Sequence, residues 1–220
     1  MAETREKPVI FSAEMVRAIL AGTKIQTRRV VKPQPPEGTT KLFGPELYSP
    51  AVEDRDGELR DGPEAFGVYT DDGEWGVKCP YQPGGHLWVR ETWCEYGKGK
   101  AIYRADYDRF TPISDGIGGP WKPSIFMPRW ASRITLEVTH VQVERLREIS
   151  AVDAIAEVEH RPGHKGLYAR YSDDGEWTGQ PLKSFMNLWM SINGKKHPWS
   201  SNPWVFCYTF RRLEEAGNDV

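Results

Sequence analysis

The chain lacks most of the features that quickly place a protein in a class. Only three cysteines occur in 220 residues, Cys79, Cys94 and Cys207. Their wide spacing offers neither a disulfide framework nor a zinc pattern and fits incidental thiols in a reducing compartment. No apolar run reaches the roughly 18 residues of a membrane helix, and no signal-peptide pattern is present, so a cytoplasmic protein without a membrane partner is expected. Neither sign of charge is in excess, because 29 Lys and Arg stand against 31 Asp and Glu, a formal net charge of −2. That balance excludes a uniformly basic nucleic-acid surface. Any phosphate must be met by a local patch such as Lys24, Arg28, Arg29 and Lys32. Dinucleotide and phosphate-binding glycine loops, the metalloprotease helix and the nucleophile elbow are absent, and no resident metal or cofactor is expected.

Aromatic and turn-forming residues, by contrast, are plentiful. Nine Trp and seventeen Pro occur, several side by side, as in Pro120-Trp121, Pro198-Trp199 and Pro203-Trp204. Tryptophans so placed can plug the ends of a small barrel, the simpler role, or stack on bases. Hydrophobic content of 39% and charged content of 27% are ordinary for a globular chain. The length suits one domain with large insertions.

Periodicity gives the element order. Val9-Ile10-Phe11 is extended, Ser12 is a suitable N-cap, and Met15, Val16, Ile19 and Leu20 form the apolar stripe of a short helix ended by Gly22. A strand is expected from about Thr23 to Val31. Further strands are expected at His86–Trp93, Ala101–Ala105, Ser132–Val143 and Trp204–Phe210. Ser150 caps a short helix running to about Glu157, with Asp153 three residues on, and Leu182–Ile192 reads as a helix. Segments 33–78, 106–125 and 158–180 are rich in Pro, Gly and Asp and read as loop or hairpin insertions. Two echoes, Asp71-Asp72-Gly73 and Asp173-Asp174-Gly175, are hairpin tips by their flanks and lack calcium-loop spacing.

The chemistry concentrates in Gly22-Thr23-Lys24-Ile25-Gln26-Thr27-Arg28-Arg29. A helix stopping on glycine and delivering cations and a hydroxyl from a strand start makes an anion or nucleotide pocket. The bland alternative is a solvated basic strand. In a regular strand Lys24, Gln26 and Arg28 would share one face and Thr27 the other, so Lys24 and Thr27 could meet only across a turn or bulge.

This segment, together with Pro83-Gly84-Gly85-His86-Leu87-Trp88-Val89-Arg90-Glu91, Leu136-Glu137-Val138-Thr139, Leu146–Ser150 and Asn202–Phe206, resembles the ASCH domain of the PUA-like superfamily. The likeness is to the longer ASCH proteins common in phages and prophages. It covers about half of the chain, with the three insertions outside it. The resemblance implies an α+β fold, a small mixed β-barrel flanked by short helices, in a single domain spanning 1–220. It further implies a cleft for a nucleoside, a modified base or RNA. One enzymatic branch of the family hydrolyses N(4)-acetylcytidine with a lysine, a threonine and a glutamate. These fall on Lys24, Thr27 and, counted from the shared Glu137-Val138-Thr139, on Glu157; the motif arginine falls on Arg29.

The implied chemistry is coherent. A threonine hydroxyl attacks an amide only when a neighbour takes its proton, and a lysine of lowered pKa can do so. Arg28 or Arg29 could hold the oxyanion. Arg90, Glu91 and Trp88 are further substrate-binding candidates, with an exposed ion pair and a barrel plug as their structural alternatives. Three functions therefore stand open: an amidohydrolase on N-acylated cytosine nucleosides, a non-catalytic RNA or nucleotide binder, and a ribonuclease using the acidic tips for metal.

Overall fold

The computed structural model describes residues 6–107, 120–171 and 176–214. Five strands form the main sheet: β1 (Lys7–Ile10), β2 (Gln26–Val30), β3 (His86–Arg90), β4 (Thr135–Arg145) and β5 (Trp204–Leu213). Their order is β1-β3-β4-β5-β2. The β1–β3 pair is parallel and the other three are antiparallel. The fold is thus α+β, strand-rich and mixed, but the expected barrel does not close: β1 and β2 are the two edges of an open sheet. The edges meet through side chains instead of a ladder. From β2, Arg29 Nη2 donates to the Ile10 carbonyl of β1 at 2.7 Å, and the Tyr81 hydroxyl donates to the Pro8 carbonyl at 3.0 Å. With these carbonyls taken and Pro8 lacking an N–H, β1 is a poor template for a further strand.

Helix α1 (Ala13–Leu20) begins where Ser12 caps the Met15 amide and buries Met15, Val16, Ala18 and Ile19. Its end decides the geometry of the site. Gly22 sits at φ +72°, and the Gly22 and Thr23 amides donate to the Ile19 and Ala18 carbonyls, a Schellman stop that needs the left-handed glycine. The Lys24 amide also bonds Ala18, and the Ile25 and Gln26 amides both bond Ala156. The backbone therefore enters the ladder only at Gln26, later than the expected strand start.

Among the described residues, the other α-helices are α2 (Ala151–Ile155) and α3 (Pro181–Asn193), and α2 ends two residues before Glu157. One hydrophobic cluster joins the sheet (Val9, Leu87, Val138, Phe206, Phe210) to α1 and to Phe185, Leu188 and Trp189 of α3. Leu42 and Val68 of the 33–78 insertion belong to it as well. Each such side chain contributes about 1.5–3 kcal/mol on burial. That insertion carries a three-stranded sheet (Phe43–Tyr48, Ala65–Tyr69, Gly76–Lys78) and a hairpin (Ala51–Glu53, Leu59–Asp61).

The expected strand through Trp93 splits: β3 stops at Arg90, and Trp93–Glu95 pairs separately with Ala101–Tyr103. Trp88, Trp93, Trp189 and Trp204 are buried, in line with packing roles. Among the described residues no helix is long and apolar enough to cross a membrane. The second Asp-Asp-Gly tip and the glycine-rich run at 116–119 lie outside the described residues.

Candidate active site

Lys24 is not solvated. It is 1% exposed, packs 5.9 Å from the Phe11 ring centroid, and its Nζ donates to the Glu157 carbonyl at 2.8 Å and to Glu157 Oε2 at 3.3 Å. Glu157 reaches it because the Ala156 carbonyl, just past α2, accepts the Ile25 and Gln26 amides and so clamps the end of α2 onto the start of β2. Because Lys24 precedes the strand, strand alternation does not set its direction; its ammonium turns to Glu157.

Arg28 occupies the other side of Glu157. It donates to Glu157 Oε1 at 2.8 Å, to Glu144 Oε1 at 2.6 Å and to Gln26 Oε1 at 3.3 Å, with Asp153 Oδ2 at 3.6 Å. Gln26 in turn donates to Asp153 Oδ1 at 3.1 Å. Two buried cations thus share three carboxylates, which is how such charges survive removal from water.

Burial lowers the Lys24 pKa, opposed by the charge and hydrogen bond of Glu157 and assisted by Arg29 and Arg28. Burial also works against the Arg28 charge, but the carboxylates of Glu157 and Glu144 outweigh it, so its pKa is raised. Burial pushes the Glu144 carboxyl up despite Arg28, and it pushes the neighbouring Cys207 thiol to about 12, which keeps that sulfur protonated and unreactive.

Thr27 is buried, pairs in register with Tyr208, and makes no hydroxyl hydrogen bond among the described residues. It opens on a cavity of 210 Å³ between β2 and α3. Thr27, Arg28, Arg29 and Glu157 give this cavity its polar side; Met15, Phe185, Leu188, Trp189 and Ile192 give its apolar wall. It is smaller than the roughly 300–1,000 Å³ of sites that enclose whole drug-sized ligands, and it suits a base or an acyl group. Arg29 lies 5.2 Å from the Phe11 ring centroid and spends Nη2 on Ile10, while its buried Nε has no hydrogen-bond partner.

The sequence-derived candidates therefore divide. Thr27, Arg28, Arg29 and Glu157 line one cavity, and Lys24 is tied to it through Glu157. Trp88, Arg90 and Glu91 do not join them. Arg90 lies over Trp88 at 4.6 Å and donates to the Ile125 carbonyl, and Glu91, just beyond β3, is held by Arg133 at 2.9 and 3.1 Å. Glu144, a partner of Arg28, and the apolar wall from α3 were not singled out from sequence. The available signal was the Gln142/Glu144 polar pair alternating with Val141 and Val143, since a buried arginine needs more than one carboxylate. At the first acidic tip, Asp72 accepts from the Thr70 hydroxyl at 2.6 Å and the Glu74 amide at 3.1 Å, as a turn carboxylate does. Among the described residues no three His, Cys, Asp or Glu gather as a metal site.

Fold and site together define an open-sheet α+β domain with a buried Lys-Glu-Arg cluster beneath a small cleft. No protein family, curated protein or solved structure matches the chain.

Proposed function

We propose that the protein is a PUA-like, ASCH-type amidohydrolase that removes the acyl group from N(4)-acetylcytidine or a related N-acylated cytosine. The observation that carries this reading is the enclosed Lys24–Glu157 pair, with contacts at 2.8 and 3.3 Å, directly beside a cavity lined by the unbonded Thr27 hydroxyl. The step requires Lys24 as the neutral amine, the form that its burial favours and its Glu157 partner opposes; in that form it accepts the Thr27 proton as Oγ1 attacks the acyl carbon. The carbonyl oxygen becomes an oxyanion, for which the unpaired Arg29 Nε–H is the available donor. The C–N bond then breaks as the Lys24 ammonium returns its proton to the leaving amine. Water, deprotonated by the same lysine, hydrolyses the acyl-threonine and releases the carboxylic acid. Glu157 orients Lys24 throughout, and Arg28 holds Glu157 in place.

The test is acetate release from a panel of acylated cytidines, deoxycytidines and free bases. Turnover is expected for at least one substrate, with loss in Lys24→Ala and Thr27→Ala. No turnover across the panel overturns the proposal and leaves a binding protein.

A further inference from the structure

The cations that first suggested an anion pocket, Lys24 and Arg28, are matched by carboxylates. Among the described residues, cations without a carboxylate partner, Arg161 and Lys165, sit elsewhere, in the 158–180 insertion. After Glu157 the chain makes a tight loop: the Arg161 amide donates to the Leu167 carbonyl at 2.9 Å, the His164 amide to the Arg161 carbonyl at 3.1 Å, and Gly163 supplies the turn at φ +73°. The loop is tied down at its base. Glu159 accepts from Arg17 Nε at 3.0 Å, its amide donates to the Tyr171 hydroxyl at 2.7 Å, and the His160 ring lies 2.9 Å from the Ile155 carbonyl.

Between this loop and the end of α1 lies a second cavity, of 530 Å³, lined by Arg17, Thr23, Glu159, Arg161, His164 and Lys165 among others. Arg17 and Glu159 cancel each other. The side chains of Arg161, His164 and Lys165 make no hydrogen bond or ion pair among the described residues. Among the described residues, two exposed cations and an imidazole therefore line this cavity without a side-chain partner. An arginine fork beside a lysine ammonium matches the several acceptor oxygens of a phosphate better than a single carboxylate. The cavity also backs onto the active-site segments, since Thr23 precedes Lys24 and Glu159 follows Glu157 by two residues.

We infer that Arg161, His164 and Lys165 form a phosphate-binding site that recognises the phosphate of a nucleotide. The phosphate could belong to a free mononucleotide or to an RNA backbone; the shared chemistry is an oxygen-rich anion presented beside the cleft. That this phosphate is part of the substrate rests on the amidohydrolase proposal, whereas the binding itself does not.

The experiment measures calorimetric affinities of the full chain for cytidine, cytidine 5′-monophosphate, inorganic phosphate and a single-stranded oligocytidylate RNA. The same set is run on Arg161→Ala/Lys165→Ala and on Arg161→Gln/Lys165→Gln, whose side chains are exposed and whose folding is checked by circular dichroism. If the source is a mononucleotide, the monophosphate binds about tenfold more tightly than cytidine and inorganic phosphate competes. Both double variants then reduce that preference to within about twofold. If the source is RNA, the oligonucleotide binds and the slope of log affinity against log salt falls by about 0.7 for each cation removed. Absence of a monophosphate preference together with RNA binding that the variants leave unchanged, or absent, overturns the inference. Because these are binding measurements, failure of the amidohydrolase proposal shows separately, as no acetate release.

Discussion

Two buried glutamates in this molecule have nearly the same exposure, 2% for Glu157 and 1% for Glu91, and each is held by an arginine. Their surroundings differ. Glu91 is gripped by both arms of the Arg133 fork, Arg133 also reaches Asp106, and its guanidinium lies 3.9 Å from the Tyr103 ring centroid. The Glu91 amide donates to Met127 Sδ at 3.3 Å, so its backbone ties the satellite cluster of Trp93, Met127 and Ala131 to the end of β3 while its carboxylate holds Arg133. Glu157 divides its oxygens between Lys24 and Arg28 and borders open space. The same residue type is saturated by one partner at Glu91 and shared between two cations beside a cavity at Glu157, the position to which the proposed chemistry assigns an orienting role. Burial pushes the Glu91 carboxyl up even with Arg133 attached, so a perturbed acid does not by itself mark a site.

Turnover should separate the pair most sharply. Lys24→Met, Thr27→Val and Glu157→Gln are each expected to lower kcat/KM for the acylated substrate by about 10²–10⁴-fold, the usual worth of a proton-transferring group. Glu91→Gln is expected to leave it within about threefold. Comparable losses at Glu91 and Glu157, measured by acetate release on folded protein, would erase the distinction.

Stability should separate them next. Glu157→Ala leaves two enclosed cations short of a partner and is expected to cost about 3–5 kcal/mol. Glu91→Ala leaves Arg133, whose side chain is 24% exposed and still has Asp106, so about 1–3 kcal/mol is expected. Urea unfolding of both variants checks the order, and a larger cost at Glu91 would break it.

The pH dependence sharpens the Lys24 half of the argument. Its pKa is lowered from 10.5 by burial, so between the lowered value and 10.5 the unfolded chain binds more protons than the folded one. Stability contributed by this group therefore rises with pH across that window and is lost as pH falls through it. Tyr208, raised by burial, acts in the opposite direction at high pH, so the measurement is the difference between wild type and Lys24→Met. That difference is expected to shift in favour of wild type as pH approaches 10.5; a flat or inverted difference would mean that Lys24 stays charged in the fold.

Legibility from sequence followed locality. The α1 cap at Ser12, the stop at Gly22, the Ser150 cap and the α3 helix depend on neighbours a few residues apart, and all were read correctly. Lys24, Thr27, Arg29 and Glu157 could be named as candidates by resemblance, and Arg28 from the local basic patch, but their burial could not. The open sheet, the Arg29–Ile10 bridge between its edges and the recruitment of Glu144 by Arg28 are contacts across long separations. Nothing in a local pattern announces them. The late start of β2 was missed because Ala156, 130 positions away in the case of Gln26, takes the two amides that precede the ladder.

The smallest effect tests whether position alone makes a carboxylate functional. Ser12 and Ser150 are both N-caps, accepting at 3.4 and 3.1 Å, and either change to Ala is expected to cost about 1 kcal/mol. Their consequences for activity should diverge. Ser150 also donates to Asp153 Oδ2 at 2.8 Å, and Asp153 faces Gln26 and Arg28, while α2 delivers Glu157 to Lys24. Ser150→Ala should therefore lower kcat several-fold with little change in KM, since it loosens the orienting group and leaves the apolar wall intact. Ser12→Ala, which touches neither Asp153 nor Glu157, should change kcat less than Ser150→Ala at similar stability. A wild-type kcat in Ser150→Ala would mean that the Lys24–Glu157 geometry is set by the Ala156 clamp alone and owes nothing to the α2 cap.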